Sequence, residues 1–361
     1  RKKQIEIVGD VELFARACPA PILAITGSNG KTTVTTLVGE MLQAQGLNAQ
    51  VGGNIGRPAL DLLDGPVPEI VVLELSSFQL ETTDSMRARA AAILNLSPDH
   101  MDRYASITQY RKAKQRILDG AQTAVLNRED PVLKDMDTSG AADSVSFGLD
   151  APSRETDYGI ICDAEGKEWM VRGQKRIAPV APLSMTGRHN LMNALAAVAL
   201  IESAGYPVEQ AGLDALLAFR GLAHRCEPVL ERNGVVWIND SKSTNPGAAE
   251  AALIGLDRPV VLIAGGQSKG ADFNPLAEAI QRYARQVLLI GEDRMELAAA
   301  IGDRVPVTLA DDLPQAVKLA ARWAQAGDAV LFSPACASFD MFKDFAHRGE
   351  IFSGLVREMI G

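Results

Sequence analysis

The chain has 361 residues, 47% of them hydrophobic, and carries a formal net charge of −9. That length suggests two or three domains with ordinary buried cores, and the acidic balance argues against a nucleic-acid binder, although local lysines can still collect a small anionic substrate. The apolar runs are too short to span a bilayer and the opening R-K-K-Q-I-E-I-V-G-D lacks the apolar block of a secretory signal, so a cytoplasmic location without membrane insertion is expected. Cys18, Cys162, Cys226 and Cys336 lie far apart with no C-x-x-C pair, which speaks against a zinc site or disulfide framework and leaves them as buried free thiols of structural character. The chain starts at Arg1, and residues 5–17 read as the middle of a longer sequence.

Residues 22–33 (I-L-A-I-T-G-S-N-G-K-T-T) read as strand, phosphate loop and helix. After Lys31 the apolar residues Val34, Leu37, Val38, Met41 and Leu42 recur at helical spacing along one face. The loop therefore sits at a helix N-terminus. There, unpaired backbone N–H groups and the positive end of the macrodipole favour a phosphate, and Gly27 and Gly30 let the backbone approach it closely. Lys31 would reach the outer phosphates and the Thr32 hydroxyl would hold Mg²⁺. The spacing G-x-x-G-K-T is shorter than the usual G-x-x-x-x-G-K-[ST], so a plain glycine turn before a helix is the competing reading; the apolar strand in front favours the phosphate loop.

Residues 69–75 (E-I-V-V-L-E-L) read as a buried parallel strand broken by one carboxylate. An unpaired carboxylate there is costly, so Glu74 at the sheet's carboxyl edge is read as aimed at a cation, with an exposed strand-end glutamate as the alternative. Residues 90–96 form another buried strand, and the S-P-D-H-M-D-R-Y that follows puts Asp99, His100, Asp102 and Arg103 in a loop at the same edge. A satisfied loop histidine is the ordinary reading of His100, and the convergence of phosphate loop and Glu74 favours a ligand or substrate contact. Residues 106–118 read as a helix capped by Ser106, whose Arg111, Lys112, Lys114 and Arg116 would normally be a solvated face.

From 121 to 180 the apolar runs shorten, and pieces at 124–127, 144–148, 158–162 and 168–171 resemble an antiparallel appendage on the parallel sheet. Residues 187–203 return to helix with Asn190 and Asn193 on one face, as caps or facing a nucleotide. A helix over 208–217 follows, and a domain boundary is placed near Gly221. Beyond it, strands at 235–238, 260–264, 287–290, 305–308 and 329–332 alternate with helices, which is a second doubly wound α/β pattern. Polar loops end three of these strands: N-D-S-K-S-T-N at 239–245, G-G-Q-S-K-G at 265–270 and S-P-A-C-A-S-F-D at 333–340. Ligands in open α/β sheets bind outside the carboxyl ends of the strands, so this is the layout of a site.

On these motifs, with G-G-N-I-G, L-E-L-S-S-F-Q-L-E, G-R-H-N, H-R-C-E and the continuation M-F-K-D-F-A-H-R-G, the chain resembles the Mur ligase family essentially end to end, in its D-glutamate-adding branch. The shorter glycine spacing is also that family's. The resemblance implies an α/β fold. A central P-loop-type parallel-sheet ATPase domain with a small antiparallel appendage would span 1–221, and a C-terminal Rossmann-like doubly wound domain binding the incoming amino acid would span 222–361. It implies an ATP-dependent acid–amino acid ligase of peptidoglycan synthesis, adding D-glutamate to UDP-N-acetylmuramoyl-L-alanine through an acyl phosphate.

By the same resemblance Gly27, Ser28, Asn29, Gly30, Lys31, Thr32 and Thr33 match the ATP-phosphate loop, and Asn190, Asn193, Arg225 and Asp240 the nucleotide-facing set. Asn54 and Ser76 match contacts to the muramoyl substrate; Lys242, Thr244, Lys269, Ser338 and Phe345 match those to the incoming amino acid and product. Lys31, Glu74, His100 and Lys114 take the catalytic positions. Thr32, Glu74, His100 and Lys114 fall around two Mg²⁺ ions, with Lys114 carried as a carbamate made with CO₂. Histidine is an unusual magnesium ligand, so that assignment is the family's. ATP would lie between two domains whose closure keeps water off the acyl phosphate. Family members begin with a separate domain for the uridine diphosphate, and this chain opens near the linker after it. Residues 1–17 are thus read as a linker remnant, and a weakened or inactive fragment is expected. A monomer is also expected. A diaminopimelate-adding, lysine-adding or folylpolyglutamate-type ligase, and a non-catalytic nucleotide-binding module, stand as alternatives.

Overall fold

The computed structural model describes residues 6–101, 103–185, 187–256, 258–268 and 270–361. Two units divide the chain: residues 6–98 with Tyr104–Arg220, and Asp99–Arg103 with Gly221–Gly361. The first contains α1 (Asp10–Ala17), β1 (Ile22–Thr26), α2 (Lys31–Ala44), β2 (Ala49–Gly53), β3 (Ile70–Glu74), α3 (Ser77–Glu81), β4 (Ala90–Ile93), α4 (Ile107–Gln115), β5 (Thr123–Asn127), β6 (Asp143–Phe147), β7 (Tyr158–Cys162), β8 (Glu168–Arg172), β9 (Lys175–Pro179), α5 (Arg188–Ser203) and α6 (Gln210–Ala218). Its nine strands form one sheet in the order β2-β3-β1-β4-β5-β6-β7-β8-β9. β1, β3 and β4 are buried at every residue, as central parallel strands covered on both faces must be.

The sequence pattern grouped 124–127 and 144–148 with an antiparallel appendage. Instead β5 and β6 run parallel to β4 and extend the main sheet, and only β7, β8 and β9 pair antiparallel. A short alternating segment looks alike in both settings, and the connection decides direction. Long crossovers precede β5 and β6, whereas β7 to β9 are joined by tight turns with Gly166 and Gly173 at positive φ.

α1 inserts Val11 and Phe14, both fully buried, among Ile22, Val71, Leu73 and Ile93, so part of the stretch read as a linker remnant belongs to this unit's core. Glu12 on the same helix is buried as well. Its Oε2 accepts from the backbone N–H groups of Asp84 and Ser85 at 2.7 and 2.9 Å, and its Oε1 from Arg16 Nε at 2.7 Å.

The second unit contains β10 (Glu227–Arg232), β11 (Val235–Asn239), α7 (Pro246–Gly255), β12 (Val260–Gly265), α8 (Asn274–Tyr283), β13 (Ala284–Ile290), α9 (Arg294–Ile301), β14 (Val307–Leu309), α10 (Leu313–Trp323), β15 (Ala329–Phe332) and α11 (Phe345–Met359). The sheet order is β10-β11-β15-β12-β13-β14, parallel except for β10 at the edge. β10 escapes the sequence pattern because E-P-V-L-E-R carries the proline and charges typical of an edge strand. The four cysteines are free, but only Cys336 is buried: Cys18 and Cys226 are half-buried and Cys162 is exposed, against the expectation of four buried thiols. Cys162 ends β7 where that strand leaves the core. Among the described residues no helix is long and apolar enough to cross a membrane.

Candidate active site

In the first unit, β1 runs out at Thr26 and α2 begins at Lys31, so four residues must turn the chain. Gly30 does so in the left-handed region, with φ 81°. The turn is bolted to the segment following β4. Ser28 N donates to Asn95 O at 2.9 Å, Asn29 N to Asn95 Oδ1 at 2.8 Å, and Asn95 Nδ2 to Asn29 O at 3.0 Å. Ser28 Oγ donates to Ser97 O at 2.9 Å and accepts from Ser97 N at 3.0 Å. Lys31 arches back over the turn, its Nζ donating to the carbonyls of Gly27 and Ser28 at 2.9 and 2.8 Å. Thr32 is half-buried and Thr33 buried on the first turn of α2.

Glu74 closes β3, in register with Ile25, and is buried rather than exposed. Its Oε1 accepts from Asn54 Nδ2 at 2.9 Å, while its Oε2 is buried with no hydrogen-bond partner. A carboxylate oxygen left in that state is expensive unless a cation takes it, so the residue fits a metal ligand. Among the described residues no three His, Cys, Asp or Glu side chains converge as a ready metal cage. A cation here would therefore need oxygen donors other than a cluster of carboxylates to complete its shell around Glu74.

Lys114 is buried, against the expectation of a solvated face. Its Nζ donates to Thr26 Oγ1 at 3.2 Å and lies 4.8 Å above the Tyr110 ring, and Thr26 Oγ1 donates in turn to Leu75 O at 2.7 Å. Of its basic neighbours only Lys112 is exposed. Arg111 donates to Asp135 O, and Arg116 to the carbonyls of Leu80 and Thr83, where they satisfy loop ends. Ser106 caps α4 as the pattern requires, accepting from Gln109 N.

Ser76, matched to the substrate, is the N-cap of α3 in a capping box with Gln79. Asn190 and Asn193 do share a face, linked at 3.3 Å, and Asn193 Oδ1 lies where a Cβ on Gly30 would come within 2.6 Å. Beside them the sequence passed over His189. Its Nδ1 is buried without a partner, and burial holds the imidazole down at about 4, hence neutral near neutral pH.

In the second unit His100 takes a left-handed φ of 56°, with its imidazole largely open and Nε2 3.9 Å from Asp99 Oδ2. Arg225 sits between two more left-handed residues, His224 (φ 63°) and Cys226 (φ 47°). Asp240 is buried and spends its carboxylate internally: it accepts from Cys226 N at 3.1 Å, Ser243 Oγ at 2.5 Å and Ser333 Oγ at 2.7 Å. Burial raises its pKa despite those donors. Lys242 Nζ lies 3.9 Å over the Phe345 ring, so these two expected substrate contacts do meet. Thr244 is exposed and Ser338 buried. Lys269 and Asp102 lie outside the described residues.

Two residues that sequence reasoning missed hold this region together. Arg348, fully buried, donates to Ser241 Oγ at 3.0 Å, Ser241 O at 2.7 Å and Cys336 O at 3.1 Å, tying the loop after β11 to the loop after β15, and burial lowers it to about 10. Asn239, equally buried, donates to Gly349 O and Ser353 Oγ, each at 2.9 Å. An arginine on an amphipathic helix reads as surface, and only its place in A-H-R-G, just after a polar loop, could have marked it.

Residues 25–201 match the Mur ligase middle domain and residues 224–336 the glutamate ligase domain of Mur ligases. The chain belongs to the Mur ligase family. It is 50% identical over 362 residues to the UDP-N-acetylmuramoylalanine–D-glutamate ligase of Hahella chejuensis, an overlap of 99% of this chain and 80% of that protein. It is likewise 50% identical over 364 residues to the ligase of that name from Pseudomonas aeruginosa, with coverage of 99% and 80%. MurF ligase from Thermotoga maritima, solved with ADP, superposes with a TM-score of 0.72 at 18% identity, covering 96% of this chain and 83% of that one. FolC of E. coli, also with ADP, gives 0.71 at 18% identity over 99% and 96%. At such identities the likeness is one of fold. The turn at 27–30 and the orphaned Glu74 oxygen, which stands at the end of the neighbouring strand, both lie within the matched middle domain.

Proposed function

We propose that this chain catalyses ATP-dependent addition of D-glutamate to UDP-N-acetylmuramoyl-L-alanine in peptidoglycan precursor synthesis. The observation that carries it is the 50% identity, over 99% of the chain, to ligases bearing that name. The alanyl carboxylate attacks the γ-phosphorus of ATP, the bond to the β-phosphate oxygen breaks, and ADP leaves with the electron pair. The amine of D-glutamate then attacks the acyl carbon, gives up a proton, and expels phosphate as the amide forms.

Such phosphoryl transfer asks the protein for positioning and for neutralisation of charge rather than for a covalent partner. Backbone N–H groups at the start of α2 and the Lys31 ammonium take the phosphates. Asn190, Asn193 and Arg225 face the nucleotide, Asn54 and Ser76 the muramoyl substrate, and Lys242, Thr244, Lys269, Ser338 and Phe345 the incoming amino acid. Asp240 serves by holding the loops around Arg225 and Ser243 in place. Thr32, Glu74, His100 and Lys114 would hold Mg²⁺, which supplies neutralisation of phosphate charge. Lys114 takes part as a carbamate: its ammonium gives up one proton, the neutral amine attacks CO₂, a second proton leaves to solvent, and the buried cation becomes an anion beside Thr26.

The test is phosphate release from ATP in the presence of UDP-N-acetylmuramoyl-L-alanine, comparing D-glutamate, L-glutamate and diaminopimelate. Release that depends on D-glutamate is expected, and release driven by diaminopimelate alone overturns the assignment. Lys114→Ala should abolish turnover, with partial recovery on adding a small carboxylate such as acetate. An unchanged rate in that variant would sink the carbamate.

A further inference from the structure

We infer that Asn95 is a positioning residue that holds the phosphate loop in its nucleotide-binding shape through a two-point grip on the backbone of Asn29; the inference rests on the ATP reading above. The last bond of the β4 ladder toward β1 is Leu94 N to Thr26 O at 3.0 Å. Beyond it the loop turns away from the sheet, and no regular strand can follow it. One more backbone bond, Ser28 N to Asn95 O at 2.9 Å, links the two segments there, and the Asn95 side chain adds to it. Its amide offers the acceptor and donor pair of a peptide group, Oδ1 taking Asn29 N–H at 2.8 Å and Nδ2 giving to Asn29 O at 3.0 Å. A backbone N–H only donates and a carbonyl only accepts, so the orientation of the amide is fixed by its partners.

Asn95 is itself braced from behind. Asn127 Nδ2 donates to Leu94 O at 3.0 Å, and Asp130 Oδ2 accepts from Leu96 N at 2.7 Å. The protein thus consumes the Asn29 N–H, which leaves the phosphates to the amides at the start of α2. A loop already in that shape spares the ligand the cost of ordering it, so loosening the grip should weaken nucleotide binding without touching the amino-acid site.

The experiment is calorimetric titration of MgADP into the wild-type chain, Asn95→Ala and Asn95→Asp, with thermal unfolding and the KM for D-glutamate measured alongside. Asn95→Ala should raise the Kd by on the order of tenfold, equivalent to about 1.4 kcal/mol, and leave the KM for D-glutamate unchanged. Asn95→Asp is isosteric and carries the test should the alanine variant lose its fold. Ionised, it keeps the acceptor but sets a carboxylate against Asn29 O; protonated, it regains the donor. Its affinity relative to wild type should therefore recover as pH is lowered from neutral toward about 5, because a carboxyl facing a carbonyl titrates above its ordinary range. The charged and titratable groups nearby are Asp130, the Lys31 ammonium over Gly27 O and Ser28 O, and the Tyr110 hydroxyl 3.4 Å from Ser28 Oγ. Wild type and Asn95→Ala carry all three and supply the baseline. An unchanged Kd in folded Asn95→Ala overturns the positioning role, and a pH-independent ratio for Asn95→Asp overturns the two-point grip. Absence of MgADP binding in the wild type overturns the nucleotide reading and the inference with it.

Discussion

Gly30→Ala tests whether the phosphate loop is shaped by the left-handed turn and by Asn193 together. A non-glycine residue at φ 81° costs about 1–2 kcal/mol in backbone strain. The new Cβ would also meet Asn193 Oδ1 at 2.6 Å, too close to be tolerated without movement. The atom in the way ends a side chain, so the amide can swing, at about 0.5–1.5 kcal/mol for a strained rotamer and with loss of its 3.3 Å bond to Asn190. The total is about 2–3 kcal/mol, which lowers the melting temperature of a unit this size by roughly 5–10 °C. The two parts separate in a double-mutant cycle measured by thermal unfolding. Asn193→Ala removes the obstructing oxygen but leaves the backbone strain. The double variant should therefore lose about 1 kcal/mol less than the sum of the single variants. Additivity within about 0.5 kcal/mol would refute the steric argument and leave backbone strain alone.

Two further predictions concern residues outside the proposed chemistry. Burial of Glu12 opposes its ionisation, but the Ser85 and Asp84 N–H groups and the Arg16 guanidinium overcome this and hold its carboxyl at about 2 against an ordinary 4.5. A carboxyl lowered on folding stabilises above its unfolded pKa and loses that contribution as pH falls through its folded one. The urea-midpoint gap between wild type and Glu12→Gln should thus be full at neutral pH and shrink from about 4.5 down to about 2; a gap indifferent to pH contradicts it. Arg348→Met keeps much of the volume but strands Ser241 O and Cys336 O without their donor, so it should destabilise the second unit by on the order of 3 kcal/mol in denaturant unfolding. A midpoint within error of wild type would show those carbonyls are satisfied otherwise.

The sequence by itself determined what is local. An apolar strand, two glycines, a lysine and a run at helical spacing placed β1, the loop and α2 correctly, because each signal acts within a few residues of its own position. Ser106 as a cap and the strand–helix alternation of the second unit are of the same kind. The motifs also sufficed for the family, since loops at strand ends carry their chemistry in order along the chain.

The tertiary structure decided what depends on partners far away in sequence. Whether β5 and β6 run parallel is set by their neighbours in the sheet and by long crossovers, and period-two alternation says nothing of either. Lys114 is buried because Thr26 and Tyr110 enclose it, although its neighbour Lys112 has the same charge and lies in solvent. Nothing local in the sequence assigns a role to Asn95, Glu12 or Arg348. Each proved to satisfy backbone groups of a distant loop, and the cost of leaving a buried N–H or C=O unpaired is what fixes them there.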